Sequence, residues 1–162
     1  RGENREPVHI LEPDPGSVAS CGQRTTTTGF GMSVFDEDLF EKGLAQRKAT
    51  MGADFVERNL AGADEFTRPF QEAMTAWAWG FGWGDDAIDP KTRSMMNLAM
   101  IGALGKMTEW EGHCKGALNN GCSVEEIRAC IHVVGIYCGA PQALECFRSA
   151  RKVLEAEGLL GG

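Results

Sequence analysis

The sequence is poor in positive charge: 16 Lys and Arg residues stand against 23 Asp and Glu residues, which gives a formal net charge of −7. Phosphate backbones and anionic lipid surfaces are bound by clustered Lys and Arg side chains. The composition therefore argues against nucleic acid or a membrane as a partner. The sequence also lacks an apolar run long enough to span a bilayer, and no signal-like segment opens it. We therefore expect a cytoplasmic protein.

Histidine is scarce, and paired cysteine motifs are missing. The sequence holds three histidines and six cysteines, and no two cysteines form a C-x-x-C motif. The cysteines are Cys21, Cys114, Cys122, Cys130, Cys138 and Cys146. Zinc sites draw on closely spaced cysteines and histidines, so this spacing predicts no metal site. We expect reduced and mostly buried cysteines, as in cytoplasmic proteins.

Alternating apolar and polar residues, the pattern of a half-buried strand, are missing over residues 35–162. Helical patterns follow one another there instead. Asp89 precedes a proline, as an N-cap residue does, and Ser123 with Glu126 forms a capping box at another helix start. The helix over residues 92–104 is apolar on nearly all sides, which predicts burial inside a bundle. We expect one all-α domain, a single helical bundle.

Residues 1–34 differ in composition from the rest of the chain. They contain three prolines, several glycines and a run of four threonines, with few apolar residues at periodic spacing. A segment without its own core must borrow apolar surface from the body of the protein or from another subunit. We predict an extended N-terminal arm that lies across a neighbouring subunit of a homo-oligomer. Its apolar anchors would be Val8, Ile10, Leu11 and Phe30.

A predicted helix that begins near Thr108 carries the first candidate site. Thr108 followed by Glu111 matches a capping box at the helix start. Glu109 and His113 stand four residues apart, so their side chains lie on one helix face and can touch. A carboxylate beside an imidazole can hold its tautomer and tune its basicity near neutral pH. The same spacing also fits a surface pair, so the surrounding sequence must decide between the two.

Three aromatic residues, Trp79, Phe81 and Trp83, alternate with glycines over residues 79–86. This composition predicts a loop after a helix. Loops that carry several large rings usually line a pocket or a subunit contact. We therefore expect this loop to line one pocket together with the Glu–His pair.

Motifs along the sequence resemble those of the carboxymuconolactone decarboxylase family, within the alkylhydroperoxidase-like superfamily. The motifs are Trp79-Gly80, Trp83, Asp89-x-x-Thr92-Arg93-Ser94, Leu98-Ala99, Glu109, His113, Ala117-Leu118-Asn119-Asn120-Gly121 and Ile136-Tyr137-Cys138-Gly139-x-Pro141. The resemblance extends from about Phe40 to Leu154. It implies the all-α fold of that family and a homo-trimer or homo-hexamer with the pocket near a subunit interface.

The resemblance also implies an activity. Decarboxylases of the family are cofactor-independent lyases that remove a carboxylate from an unsaturated lactone in aromatic catabolism. Loss of CO₂ leaves an enolate, which the protein must stabilise and protonate at carbon. By resemblance, His113 is the proton donor or the enolate partner, and Glu109 fixes its orientation. Arg93 could receive a substrate carboxylate bidentately, and a structural pair with an acid is the alternative for it.

The stretch after Trp79 departs from the family pattern, because Phe81 replaces an acid and Asp85 replaces an arginine. These changes predict a more apolar, less cationic pocket. An isomerase, a cyclase or a lactone-opening enzyme on the same fold is therefore an alternative. A thiol-redox protein is disfavoured because Lys106 and Glu109 occupy the two positions of the superfamily's cysteine pair. A non-catalytic binding subunit is the remaining alternative.

Two residues of the predicted helix after Ser123 complete the candidate list. His132 lies in an apolar helix, where a core histidine is more frequent than a ligand. Tyr137, the only tyrosine, is expected to bury its ring and to hydrogen-bond through its hydroxyl. The candidate substrate-binding residues are thus Arg93, Trp79, Phe81, Trp83, His132 and Tyr137.

Overall fold

The structure, a computed structural model, describes residues 36–160. In that part of the chain the regular elements are seven α-helices and one π-helical segment, without a strand, so the predicted all-α fold is confirmed. The helices are α1 (Glu37–Met51), α2 (Ala53–Ala61), α3 (Arg68–Met74), α4 (Pro90–Ala103), α5 (Met107–Asn119), α6 (Val124–Cys138) and α7 (Ala140–Ala156). The π-helical segment (Thr75–Gly82) directly continues α3. The predicted arm over residues 1–34, with its four anchors, lies outside the described residues.

Two helix starts follow from local sequence as expected. Asp89 caps α4, because its carboxylate accepts a hydrogen bond from the Thr92 amide at 3.0 Å, and Pro90 occupies the first helical position. Ser123 and Glu126 form a complete capping box at the start of α6, in which each side chain bonds the other residue's backbone amide. Both predicted starts are confirmed.

The main core lies among α4, α5, α6 and α7. Trp110 is at its centre with no exposed surface, and its indole Nε1 donates to the Leu98 carbonyl oxygen at 3.0 Å. A fully buried tryptophan needs such a partner for its N–H group. The other buried core residues are Cys114, Ala117, Cys122, Ile127, Ile131, Val134, Ala143, Cys146, Ala150 and Leu154. This four-helix core supports α5, the helix that carries the Glu–His pair.

Helix α1 packs closely on the π-helical segment, backbone against backbone. A Cβ atom added at Gly43 would lie 2.1 Å from the Thr75 carbonyl oxygen, and one at Gly80 would lie 2.2 Å from the Leu39 carbonyl oxygen. Only glycine leaves room for helices at this distance. The contact places Arg47, one turn further along α1, beside the same segment.

Two asparagines at the end of α5 connect three helices. Asn119 donates to the Thr50 carbonyl oxygen of α1 at 2.8 Å, and Asn120 donates to Ser94 Oγ of α4 at 3.0 Å. Gly121 follows with a φ of 84°, a left-handed conformation that ends the helix. The side-chain amides of Asn119 and Asn120 thus hold together the helices around the candidate site.

The predicted capping box of Thr108 and Glu111 is wrong. Helix α5 begins one residue earlier, at Met107, and its cap residue Lys106 makes no side-chain hydrogen bond. Glu111 instead binds Lys152 of α7. The ion pair with α7 takes the carboxylate that the capping box would have used.

The predicted aromatic loop over residues 79–86 is wrong in its first half, because residues 79–82 are helical. Residues 75–82 form the π-helical segment, and the Trp83 amide donates to the Ala78 carbonyl oxygen five residues earlier at 2.9 Å. The wide turn is held from outside by Arg93, whose guanidinium donates to the carbonyl oxygens of Gly82, Asp85 and Ile88. Local composition indicated a loop, whereas these tertiary contacts satisfy the carbonyl groups of a helical turn.

Burial of the apolar α4 helix on all sides is not observed. Ser94, Leu98 and Gly102 are buried, but Met100 is 53% exposed and Leu104 is 72% exposed. Helices α6 and α7 likewise leave apolar side chains in contact with solvent.

Within residues 36–160, no helix combines the length and apolar character needed to cross a bilayer.

Candidate active site

A cavity of about 420 Å³ lies between α1, α2, the π-helical segment, α4 and α5. Its volume is within the range of roughly 300–1,000 Å³ that is typical of small-molecule sites. The lining residues are Arg47, Met51, Phe55, Asn59, Met74, Ala78, Trp79, Trp83, Asn97, Thr108, Glu109, Gly112 and His113. Sequence reasoning expected His113, Glu109, Trp79 and Trp83 in one pocket, and the structure brings these four together.

Three rings form one wall of the cavity. The indoles of Trp79 and Trp83 stack with their centroids 4.9 Å apart. The His113 imidazole lies 6.2 Å from Trp79 and 6.4 Å from Trp83, nearly parallel to both. The spacing of four residues along the π-helical turn puts both indoles on the side that faces α5. A flat or small apolar group can pack against this wall while one face of the imidazole is shielded from water.

Burial sets the protonation state of His113. Loss of solvation lowers the pKa of the imidazole, and the nearby Glu109 carboxylate partly offsets this by attraction. No hydrogen bond joins the two side chains, and Glu109 is largely exposed. The imidazole is therefore neutral at neutral pH. Glu109 acts on it through charge at a distance rather than through a fixed contact.

Arg47 is a site residue that sequence reasoning missed. Its guanidinium is buried and donates to Thr75 Oγ1 at 2.9 Å and to Gln71 Oε1 at 3.0 Å. Burial lowers its pKa, although an arginine stays charged. A signal was present in the sequence: the residues three and four positions away in its helix, Gly43, Leu44, Thr50 and Met51, include no acid. A solvent-facing arginine in a helix commonly has such a partner.

Phe81 and Arg93 do not line the cavity. Phe81 points outward with 68% of its surface exposed. The Arg93 guanidinium is engaged by backbone carbonyl oxygens and stabilises the turn that carries Trp83. Arg93 was expected to bind a substrate carboxylate or, alternatively, to pair with an acid; in the structure its hydrogen-bond partners are backbone carbonyl groups, which gives it a structural role.

His132 and Tyr137 lie outside this cavity. His132 is exposed on α6 and packs at 6.0 Å against the Phe147 ring of α7. Tyr137 is 82% exposed, so its expected burial is wrong within the described chain. Five residues apart, the two side chains lie about 140° apart around α6, so they do not share a face of the helix. Neither residue lines the cavity around His113.

The cysteine next to His113 has little capacity for redox chemistry. Cys114 has no exposed surface, and burial raises the pKa of its thiol to about 12. Cys122 is also buried, with its thiol pKa raised to about 11. Thiolate is the reactive form in disulfide and peroxide chemistry. These thiols are unsuited to such a role at neutral pH.

Other polar groups of the cavity are neutral. Asn59, Asn97 and Thr108 offer amide and hydroxyl groups for hydrogen bonds along the walls. Among residues 36–160, no group of three or more His, Cys, Asp and Glu side chains is placed to hold a metal ion. The arrangement thus offers one cation, one carboxylate, an imidazole and an aromatic wall.

Comparison with known proteins identifies the family of the chain. Residues 68–152 match the model of the carboxymuconolactone decarboxylase family. The chain is 38% identical over 116 residues to a nitrosuccinic acid decarboxylase of Metarhizium robertsii, a match that covers 72% of this chain and 81% of that relative. It is 29% identical over 124 residues to a 4-carboxymuconolactone decarboxylase of Acinetobacter baylyi, covering 76% of this chain and 92% of the relative. The chain therefore belongs to the carboxymuconolactone decarboxylase family.

Proposed function

We propose that this protein is a cofactor-independent decarboxylase of small carboxylic acids in which His113 handles the proton. The observation that carries the proposal is the His113 imidazole, held against Trp79 and Trp83 in a cavity of small-molecule size. Both relatives are named decarboxylases, which supports the reaction class.

The reaction breaks one carbon–carbon bond. The electron pair of that bond stays on the substrate as CO₂ leaves, and a neighbouring electron-withdrawing group delocalises it. A carbonyl group would give an enolate, and a nitro group would give a nitronate. One proton is then added to carbon, which balances the charge. The protein has to orient the acid, exclude water and supply that proton.

His113 suits the proton step once substrate is bound. Burial lowers the pKa of the imidazole and so keeps it neutral at neutral pH. A bound anion raises this pKa by attraction, as Glu109 already does in part. The imidazole can therefore take up a proton with the substrate and donate it to the carbanion. Glu109 then has an electrostatic role, because its charge favours the imidazolium form.

The relatives' names suggest the substrate class. One name specifies nitrosuccinic acid and the other 4-carboxymuconolactone. Each compound combines a carboxylate with a group that can accept its electrons, a nitro group or an unsaturated lactone. We extend to this chain only that shared chemistry: a small acid activated by an adjacent electron-withdrawing group.

The test is CO₂ release from both acids by the wild type and by His113→Ala. We expect turnover of at least one acid and a loss of roughly 10²–10⁴-fold in kcat for the variant, the usual contribution of a general acid. His132→Ala is the matched control, because His132 lies outside the cavity. Equal activity of wild type and His113→Ala would refute the proposal. Consumption of substrate without CO₂ would instead indicate an isomerase or a lactone-opening enzyme.

We also propose that the protein is a homo-trimer or homo-hexamer whose N-terminal arms are exchanged between subunits. Support comes from the exposed apolar side chains of the packed helices α4 and α6, among them Met100, Leu104, Ile136 and Tyr137. Single exposed apolar residues are ordinary, but a contiguous set marks a contact surface. Light scattering on the full chain and on a chain without residues 1–32 tests this. A monomeric full chain, or an assembly unchanged by truncation, would contradict it.

A further inference from the structure

Arg47 is a buried cation without an anion. Only 5% of its surface is exposed, and in residues 36–160 no carboxylate lies within 4.0 Å of its guanidinium. Its two hydrogen-bond partners, Thr75 and Gln71, are neutral. A guanidinium has five N–H donors, so three are left for a further partner.

Such a group is costly to bury unless something compensates its charge. Arginine is rarely buried without a carboxylate or phosphate beside it, because desolvation of the ion must be offset. The Thr75 and Gln71 oxygens orient the guanidinium plane but carry no net charge. Since Arg47 lines the cavity, the missing anion can enter with the ligand. The hydrogen bonds to Thr75 and Gln71 fix the orientation of the guanidinium before the anion binds, which lowers the entropy cost of binding.

The chemistry of the reaction indicates which anionic group binds here. A leaving carboxylate loses its charge as CO₂ departs. A bidentate pair with arginine would therefore stabilise the bound substrate more than the transition state. An acid group that is retained keeps its charge throughout, so an ion pair with it stabilises the bound substrate and the transition state equally and does not raise the barrier of the chemical step.

We propose that Arg47 binds the carboxylate that the substrate retains, so that the site needs one acid group for binding besides the one that is lost. The assignment of retained and leaving groups rests on the proposed function, whereas the binding of one carboxylate by Arg47 does not. Arg47 is the one cation among the lining residues, and Glu109 is the one carboxylate. The second acid therefore meets no permanent cation and lies near the ring wall and Glu109, where loss of its charge is favoured.

Unreactive ligands test this independently of turnover. Succinate carries two carboxylates, its monoamide succinamate carries one, and its diamide succinamide carries none. Binding can be followed by quenching of the Trp79 and Trp83 fluorescence at constant ionic strength. We expect succinamate to bind at least as tightly as succinate, because a single cation needs a single anion. We expect succinamide to bind about 10- to 100-fold more weakly, the usual effect of charge-assisted hydrogen bonds. Failure of succinamate to bind, or equal binding of succinamide, would overturn the proposal.

Variants of Arg47 then assign the effect to this residue. In Arg47→Gln the preference for succinamate over succinamide should vanish, and in Arg47→Lys part of it should remain, because the charge stays but the fork is lost. Arg58→Gln, an exposed arginine near the end of α2, makes the same change in net charge and should retain the full preference. Circular dichroism tests whether each variant is folded. If Arg47→Gln does not fold, the comparison of the three ligands on the wild type still tests the proposal. A full preference in folded Arg47→Gln would contradict the proposal.

The two proposals can fail separately. If succinamate binding depends on Arg47 but neither candidate acid is decarboxylated, the anion site is established and the proposed reaction is wrong. If an acid is decarboxylated while its KM and the binding of succinamate are unchanged in Arg47→Gln, the reaction is established and the role of Arg47 is wrong. For a decarboxylated diacid, the proposal expects a rise of KM that exceeds the fall of kcat.

Discussion

Gly43→Ala is expected to separate α1 from the π-helical segment and to weaken the anion site. A Cβ atom at Gly43 would lie 2.1 Å from the Thr75 carbonyl oxygen and 2.7 Å from the Gly80 amide nitrogen. Real Cβ atoms almost never approach closer than 3.0 Å, so the two backbones must move apart by about 1 Å. Because both clashing atoms belong to the backbone, no side-chain rotation can relieve the contact.

The size of the effect follows from two opposing terms. Overpacking of this kind costs about 1–3 kcal/mol, and a backbone clash belongs at the upper end of that range. Alanine in a helix gains about 1 kcal/mol over glycine. The net loss in the free energy of unfolding is therefore about 2 kcal/mol. For a protein of this size, that lowers Tm by roughly 4–8 °C.

Gly82→Ala is the matched control, in the π-helical segment itself. A Cβ atom there would lie 3.8 Å from its nearest neighbour, an ordinary contact, so this variant should be neutral or slightly stabilised. The assays are thermal unfolding and the fluorescence titration with succinamate. We expect weaker succinamate binding only in Gly43→Ala, because Arg47 hydrogen-bonds Thr75, the residue that must move. A Tm of Gly43→Ala at or above that of the wild type would refute the reasoning.

Three further perturbations test separate features. Burial lowers the pKa of His113 in the folded protein below the unfolded value of about 6.5, so the unfolded state takes up a proton first and stability falls as the pH drops through that value. Glu109→Gln removes an attraction that raises the pKa of His113, so NMR titration of the variant should show a still lower pKa. Denaturation of the variant should show a steeper loss of stability in acid, and an unchanged pKa would contradict this. Iodoacetamide should modify exposed Cys138 and spare Cys114 in the native protein, by peptide mass mapping, and rapid modification of Cys114 would contradict the burial of its thiol. Arg93→Lys should lower the free energy of unfolding by about 1–2 kcal/mol through lost hydrogen bonds to backbone carbonyl groups, and should leave the affinity for succinamate unchanged. A large loss of affinity would show that Arg93 binds the substrate.

Features that depend on residues close in sequence were predictable. Asp89 and Ser123 begin helices because their side chains reach amides three residues later, whatever the rest of the fold does. The Glu109–His113 pair shares a helix face because the helical period puts residues four apart together. These interactions lie within one turn of helix, so the local sequence contains both partners.

Features that depend on distant partners were not predictable in this way. Thr108 and Glu111 match a capping box as well as Ser123 and Glu126 do, but α5 begins at Met107, which puts Thr108 inside the helix, and Glu111 pairs with Lys152, 41 residues away. Trp79 and Trp83 were expected in a loop, but a wide helical turn extends to Gly82, whose carbonyl oxygen accepts a hydrogen bond from Arg93. In both cases a partner lies outside the local segment, so the local sequence does not contain it.

Arg47 shows this difference most directly. The sequence alone places an arginine in a helix and even shows that no acid stands near it along that helix. Whether its guanidinium meets water or a cavity depends on Gly43 and Gly80, whose lack of side chains lets α1 approach the π-helical segment closely enough to bury it. Burial and the electric field at a site are sums over groups brought together from the whole chain. They exist only once the helices are packed. For that reason the tertiary structure, and not the local sequence, decides that Arg47 faces the cavity as a buried cation.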